Sequence, residues 1–341
     1  MTLIDPYKAG LAAAEWHSRL EAYLIEHNCQ ERWKNAIDAS ADLSDDEKKM
    51  GKDMIDDFCD NLKSYSMAMK RGLIDKLNDY KNKTKNHVKL HEILKSHFIR
   101  LYSAFTSSEN IVEGETMCVA YQILNLLDLR VCPYCDRAYT FAVYGKRKNV
   151  RPQFDHFYDK ATYPTLAVSF YNLVPSCPIC NYTKHSDSLN INPYFEDFEG
   201  KFKVSEKRVS MDQYEDDEND KEPKPLSKSA LFDRNEWGDI RYYSDNELEK
   251  EDVKELGLDG LYAKHDDYVE ELLGKVQAYN DVACRGMIES FQGAGHSPEQ
   301  VRDFIFGNDI ANARNNNRPL SKLMRDILKQ AGVIEDDNSQ K

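Results

Sequence analysis

Two cysteine pairs, in VCPYCDRAYTF (residues 131–141) and in NLVPSCPICNYTKHS (residues 172–186), bracket the segment RPQFDHFYDKATYP (residues 151–164). Two residues separate the cysteines of each pair, the spacing at which both thiolates of one tight turn reach a single ion. Cys132, Cys135, Cys177 and Cys180 together match zinc in softness and in tetrahedral geometry, and a shell of four thiolates leaves no open coordination position. The expected metal is therefore structural, and it pins both ends of the segment it encloses. A pair of buried metal-free thiol knuckles is the competing reading, and it leaves four neighbouring thiols without a role.

The chain around this motif has 341 residues, 41% of them hydrophobic, enough for one large core or two to three modest ones. No run approaches the roughly 18 apolar residues of a membrane span, and MTLIDPYKAGLAAAEWHSRL has neither a basic start nor a long apolar stretch. The expectation is a cytoplasmic protein without a membrane partner. Cysteine usage agrees. Cys29, Cys59, Cys118 and Cys284 are scattered as ordinary small core residues, and in a reducing compartment the paired cysteines read as metal ligands before disulfides. The charge balance, 46 basic against 59 acidic residues for a net of −13, opposes indiscriminate capture of nucleic acid. Much of the acid, however, sits in DQYEDDENDKE (residues 212–222), whereas YGKRKNVR (residues 144–151) carries only basic charge. The field beside the cysteines is expected to be more positive than the average.

Periodicity divides the chain into four stretches of an α+β protein. Residues 1–128 read as a helical N-terminal region: Ser44 and Glu47 have capping-box spacing, and Met50, Met54, Phe58 and Leu62 follow at i+4 steps as a core stripe. His87, His91 and His97 fall in this region without the acidic companions of a metal site. Residues 129–200 form the small core, in which AYTFAVYG and VRPQFDHFY read as a β-hairpin turning at KRKN, followed by a loop and a short helix from Pro178. Residues 201–228 hold a strand, KFKVS, and an exposed acidic loop; residues 229–341 read as helical, with Ser297, Pro298, Gln300 and Gly307 as start and stop signals.

Chemistry must come from the residues that the cysteines enclose. Asp155 and His156 end a strand, where neighbours point to opposite faces unless the chain turns. Asn172 lies in the following loop, and Asn181, Lys184 and His185 share one helical face at i, i+3, i+4 spacing.

CPYC, FDHFYDKATYP and FYNLVPSCPICNYTKHS together resemble the HNH endonucleases, the ββα-metal nucleases of the zinc-stapled kind, over about residues 131–200. The likeness is closest to bacterial members, some of which accompany an ATPase in phage-defence systems such as Septu. It implies a ββα-metal core with zinc knuckles between N- and C-terminal helical regions, and His156, Asn172 and Asn181 at the three signature positions. His156 would be the general base that activates water. Asp155 and Asn181, with His185 as supplement or replacement, would hold one catalytic Mg²⁺ or Mn²⁺. Asn172 would tie the loop to the strand, and Lys184, Arg151 and Arg147 would contact phosphates. The implied partners are nucleic acid, with DNA first, and an ATPase. Two departures stand out: Asn181 occupies a position where many members carry His, and YDKATYP is longer than the turn of many relatives.

Two other functions compete with an endonuclease: a zinc-stapled module that binds nucleic acid or protein without cutting, and a scaffold dominated by its helical flanks. A complete set of base, ligand and lysine is superfluous to either. No G-x-x-x-x-G-K-[ST] loop occurs, so any ATP hydrolysis belongs to a partner.

Overall fold

Asp5 starts the first helix. Its carboxylate accepts the backbone N–H groups of Tyr7 and Lys8, at 2.9 and 3.1 Å, and Pro6 stands in the first turn, where a missing N–H costs nothing. The helix, α1 (Pro6–Glu26), buries Ala9, Ala12, Ala13, Trp16, Leu20 and Leu24 along one face. The computed structural model describes residues 2–67, 82–84, 86–111, 117–145, 149–186, 189–207, 223–279, 281–292, 295–307 and 318–334. It is helix-rich with two small sheets, in keeping with the α+β expectation.

Two compact units divide the chain: Leu3–Pro133 with Thr140–Glu196, and Met1–Thr2 with Tyr134–Tyr139 and Asp197–Lys341. The helical region expected over 1–128 and most of the core expected over 129–200 thus share a unit. Their packing explains why. Ile4 N–H donates to the Pro193 carbonyl at 2.7 Å, and the indole N–H of buried Trp16 donates to the Val168 carbonyl at 2.8 Å. Phe105 meets the Trp16 ring edge-on at 4.8 Å.

In this first unit α1 is followed by α2 (Cys29–Asp38), α3 (Asp45–Asp60), α4 (Leu62–Met67), α5 (Val88–Phe105) and α6 (Val119–Leu127). Ser44 and Glu47 form the expected capping box at the start of α3. The buried row of α3 differs from the expected one: Gly51, Ile55 and Phe58, continued by Leu62, lie inside, while Met50 and Met54 are half-buried at its margin. Successive i+4 steps creep around a 3.6-residue helix, whereas alternating steps of four and three stay on one face.

The expected hairpin is replaced by a different pairing. Val143 and Val150 form a single isolated bridge, with reciprocal N–H to carbonyl bonds of 2.7 and 2.9 Å. The continuous ladder joins β1 (Gln153–His156) antiparallel to β2 (Leu173–Ser176), which the sequence suggested was loop. Pro164 and Pro175 disguise β2 in the sequence. In a two-stranded ribbon the N–H that Pro175 lacks is dispensable, and all four β2 residues are buried. Helix α7 (Pro178–Lys184) follows directly, with Cys177 as its N-cap and Pro178 in its first turn.

The second unit pairs β3 (Lys201–Glu206) antiparallel with β4 (Trp237–Tyr243). β4 corrects the all-helical expectation for residues 229–341. Ile240 and Tyr242 are buried while Asp239 is exposed, an alternation already present in DIRYY, and Trp237 is buried across a register shift opposite Val204–Glu206. Helices α8 (Glu247–Glu255), α9 (Leu258–Tyr262), α10 (Asp266–Ala278), α11 (Asp281–Gln292), α12 (Pro298–Phe306) and α13 (Ser321–Gln330) complete it. Ser297 and Gln300 form the capping box expected for α12, and Gly307 ends that helix in the left-handed region at φ 88°. α13 serves the sheet edge through side chains: Asp326 accepts the Phe202 N–H at 2.9 Å, and the Gln330 amide exchanges bonds with the Val204 backbone, both 3.0 Å. The acidic stretch 212–222 lies outside the described residues, among which no helix is long and apolar enough to cross a membrane.

Removing the Trp16 side chain empties the centre of the first unit and orphans the Val168 carbonyl. Trp16→Ala is expected to lower unfolding free energy by roughly 3–5 kcal/mol in urea titration; a loss below about 1 kcal/mol would show that the unit does not depend on this anchor.

Candidate functional site

The four cysteine sulfurs of Cys132, Cys135, Cys177 and Cys180 lie within 4.8 Å of one another, all buried. Tetrahedral metal–sulfur bonds of ~2.3 Å place sulfurs ~3.8 Å apart, so small adjustments close the shell. Backbone N–H groups already point at the sulfurs. Cys177 N–H reaches Cys132 Sγ at 3.3 Å, Arg137 N–H reaches Cys135 Sγ at 3.4 Å, and Cys180 N–H reaches Cys177 Sγ at 3.5 Å. Such donors favour thiolate over thiol and orient the ligands. The donor set, burial and spacing are compatible with a structural metal such as zinc. Among the described residues this is the one group whose ligand atoms already converge.

β1 ends at His156, whose imidazole is held from two sides. Its Nε2 lies 3.0 Å from the Ala167 carbonyl, an acceptor that demands a proton on that nitrogen and leaves the Nδ1 lone pair unprotonated. The ring of Tyr102, from α5, meets it at 4.6 Å, nearly edge-on. Burial, and secondarily the Lys160 ammonium, push the His156 pKa down to about 3. The imidazole is therefore neutral at physiological pH.

Asn172 is fully buried and acts as a loop clamp. Its Oδ1 accepts the Tyr158 N–H at 2.8 Å, and its Nδ2 donates to the carbonyls of Tyr158 and Leu166, each at 3.0 Å. Its own carbonyl accepts the Phe157 N–H at 2.8 Å. The residues after His156 and the turn that carries Ala167 are thus joined through a single side chain.

Lys184, expected at the phosphates, faces the opposite way. Its side chain is 0% exposed, with Nζ donating to the His156 carbonyl at 2.9 Å and lying 3.4 Å from Asp155 Oδ2, itself buried. An ammonium with no access to water cannot serve a solvent-borne phosphate; it ties α7 to β1 instead. The same helical face does not hold all three expected residues. Asn181 and His185 line a cleft of about 530 Å³ together with Gln153, Asp155, His156 and Asp159. Asn181 Nδ2 donates to Gln153 Oε1 at 2.7 Å, which leaves its Oδ1 as the atom for a cation. His185 follows α7 at φ 49° and is exposed, its Nδ1 3.1 Å from Ser186 Oγ.

Arg151 lies beside the Phe154 ring, its guanidinium carbon 5.3 Å from the centroid, and Arg147 lies outside the described residues. Two residues without a sequence signal join the cleft. Asp159 is kept ionised against the effect of burial by the N–H groups of Ala161 and Thr162 and by the Thr162 hydroxyl, the last at 3.0 Å. Lys160 stands 4.9 Å from the Tyr102 ring centre, and burial lowers its pKa. Both directly follow the Asp-His strand, which is the only hint the sequence offers; Tyr102, fifty-odd positions earlier, has none. Comparison with protein-family models, with curated proteins and with solved structures gives no match to this chain.

The cysteine cluster predicts one metal per chain by elemental analysis, and Cys177→Ala is expected to lose the metal and unfold at lower temperature. Intact protein with well under one metal would discard the site. Lys184→Met removes the ammonium beside buried Asp155, at a cost of roughly 3–5 kcal/mol. Adding Asp155→Asn is expected to restore part of that loss, and a strictly additive double variant would mean that the pair is not coupled.

Proposed function

We propose that this chain is a metal-dependent endonuclease of the HNH, ββα-metal type that hydrolyses phosphodiester bonds in DNA, stapled by structural zinc on Cys132, Cys135, Cys177 and Cys180. One observation carries the reading: a neutral imidazole, His156, oriented by a carbonyl bond and a clamped loop, lines the same cleft as Asp155 and Asn181. A packing histidine needs neither an oriented free nitrogen nor a cleft.

In this reading His156 Nδ1 takes the proton of a water whose oxygen attacks phosphorus, the P–O3′ bond breaks, and the departing 3′-oxygen takes a proton from water. The hard oxygens of Asp155 and Asn181, with His185 beside them, suit a divalent cation. Bound Mg²⁺ or Mn²⁺ supplies charge neutralisation at the phosphoryl and leaving oxygens. Asn172 holds the imidazole against drift through the Tyr158 and Leu166 backbones. Lys160 replaces Lys184 as the cation facing phosphate, and Arg151 extends the positive edge.

The zinc-stapled binding module draws on one observation: among the described residues the four cysteines are the one group of three or more His, Cys, Asp or Glu whose ligand atoms converge. Substrate phosphate and water complete hard-cation shells, so this favours neither reading alone. A partner ATPase and a phage-defence role belong to the same proposal. A net charge of −13 weakens unaided capture of a polyanion, and licensing by a partner offsets it.

Purified protein incubated with plasmid DNA and with RNA, with and without Mg²⁺ or Mn²⁺, tests the reading. His156→Ala is expected to reduce cleavage by about 10²-fold or more while circular dichroism and zinc content stay unchanged. Lys160→Ala is expected to give a smaller loss, expressed mainly in KM. Wild-type cleavage by the His156 variant, or no cleavage with any divalent cation, would leave the binding module as the better account.

A further inference from the structure

A second concavity in the first unit lies away from the Asp155–His156 cleft, where the end of α1 meets α2 and α5. It encloses about 290 Å³, near the lower bound for small-ligand pockets. Its polar wall carries two guanidinium groups, Arg32 from α2 and Arg100 from α5, with the rings of His97 from α5 and His27 beyond α1 beside them. No carboxylate lines it, and neither arginine has a carboxylate partner among the described residues. Arg32 has only a long contact, 3.4 Å from Nη1 to the His27 carbonyl.

The inner wall is built rather than incidental. His97 stacks on buried Trp33 with ring centres 5.8 Å apart and planes 27° apart. Its Nε2 is buried and has no hydrogen-bond partner, although it belongs to a ring that normally uses both nitrogens. Burial, then Arg100 and then Arg32, depress its pKa, so both guanidinium groups act on the same ring. Apolar surface from Leu101, Ala36, Ala104 and Tyr23 completes the walls.

Two guanidinium groups without a carboxylate partner among the described residues line one small space, on a protein whose net charge is −13. Planar guanidinium forks match the oxygens of a doubly charged phosphate, and the apolar wall suits a compact group attached to it. We propose that this groove binds a small phosphorylated ligand no larger than a mononucleotide, with the exposed Arg32 and Arg100 on the phosphate and the stacked His97 and Trp33 rings as its inner wall.

The test is calorimetric titration of the full chain with inorganic phosphate, AMP and adenosine, and it needs no cleavage activity. AMP and phosphate are expected to bind saturably at one site, at up to millimolar concentration, and adenosine far more weakly. Arg32→Gln with Arg100→Gln is expected to weaken AMP binding by about tenfold or more at unchanged melting temperature, since each lost guanidinium contact is charge-assisted. His97→Gln, which leaves both guanidinium groups in place, is expected to weaken it less. Absence of saturable phosphate and AMP binding, equal binding of adenosine, or AMP affinity indifferent to the arginine pair would each overturn the proposal. So would binding of a single-stranded oligonucleotide but not AMP through these arginines, which would make the groove part of a nucleic-acid track.

Discussion

A lysine that water cannot reach dictates the arrangement of the proposed active site. The buried Lys184 ammonium is met by the His156 carbonyl and the Asp155 carboxylate. Both partners belong to the strand residues to which the proposal assigns the chemistry. The ion pair therefore fixes the distance between α7 and β1, and with it the mouth of the cleft between Asn181 and Asp155. A buried pair of this kind contributes little net stability, but it penalises every other register of helix on strand, because any slip would bury one charge alone.

The remaining restraints act on the same few residues from other directions. Cys177 is both a sulfur of the tetrad and the N-cap of α7, so a metal there would also set where that helix begins. Asn172 connects the turn holding the Ala167 carbonyl to the chain just after His156, and Trp16 supports that turn through Val168. An imidazole needs a defined proton position and a defined ring plane to act as a base. Here the carbonyl sets the first and Tyr102 helps to set the second.

How much of this was legible in the sequence depends on the range of each interaction. The tetrad was readable because four cysteines in two tight pairs report a shared partner whatever lies between them. Caps were readable because Ser44 with Glu47, and Ser297 with Gln300, are complete within four residues. The partner of β1 was not, since KRKN offered a local turn and β2 contains Pro175; the burial of Leu173 and Val174 decided the pairing from a distance. Lys184 was misjudged for a related reason. Helical spacing says that residues 181, 184 and 185 are neighbours, but not which side of α7 faces β1 and which faces solvent. Asp159 and Lys160 gave no signal because a loop side chain acquires its role only once the loop has folded.

The helix α5 joins the two concavities of the first unit. His97 and Arg100 line the cationic groove, and Tyr102 meets His156. Two residues apart on a helix means about 200° of rotation, so Arg100 and Tyr102 leave opposite faces of one rigid rod. Phe105, a turn further on, packs against Trp16 and Tyr23, which ties that end of α5 to α1. Any rotation or shift of α5 that accompanied a change at Arg100 would be carried to the ring beside His156 without an intervening loop to absorb it. On a chain with excess acid, α5 thus places Arg100, without a carboxylate partner among the described residues, on the same rod as the ring beside His156.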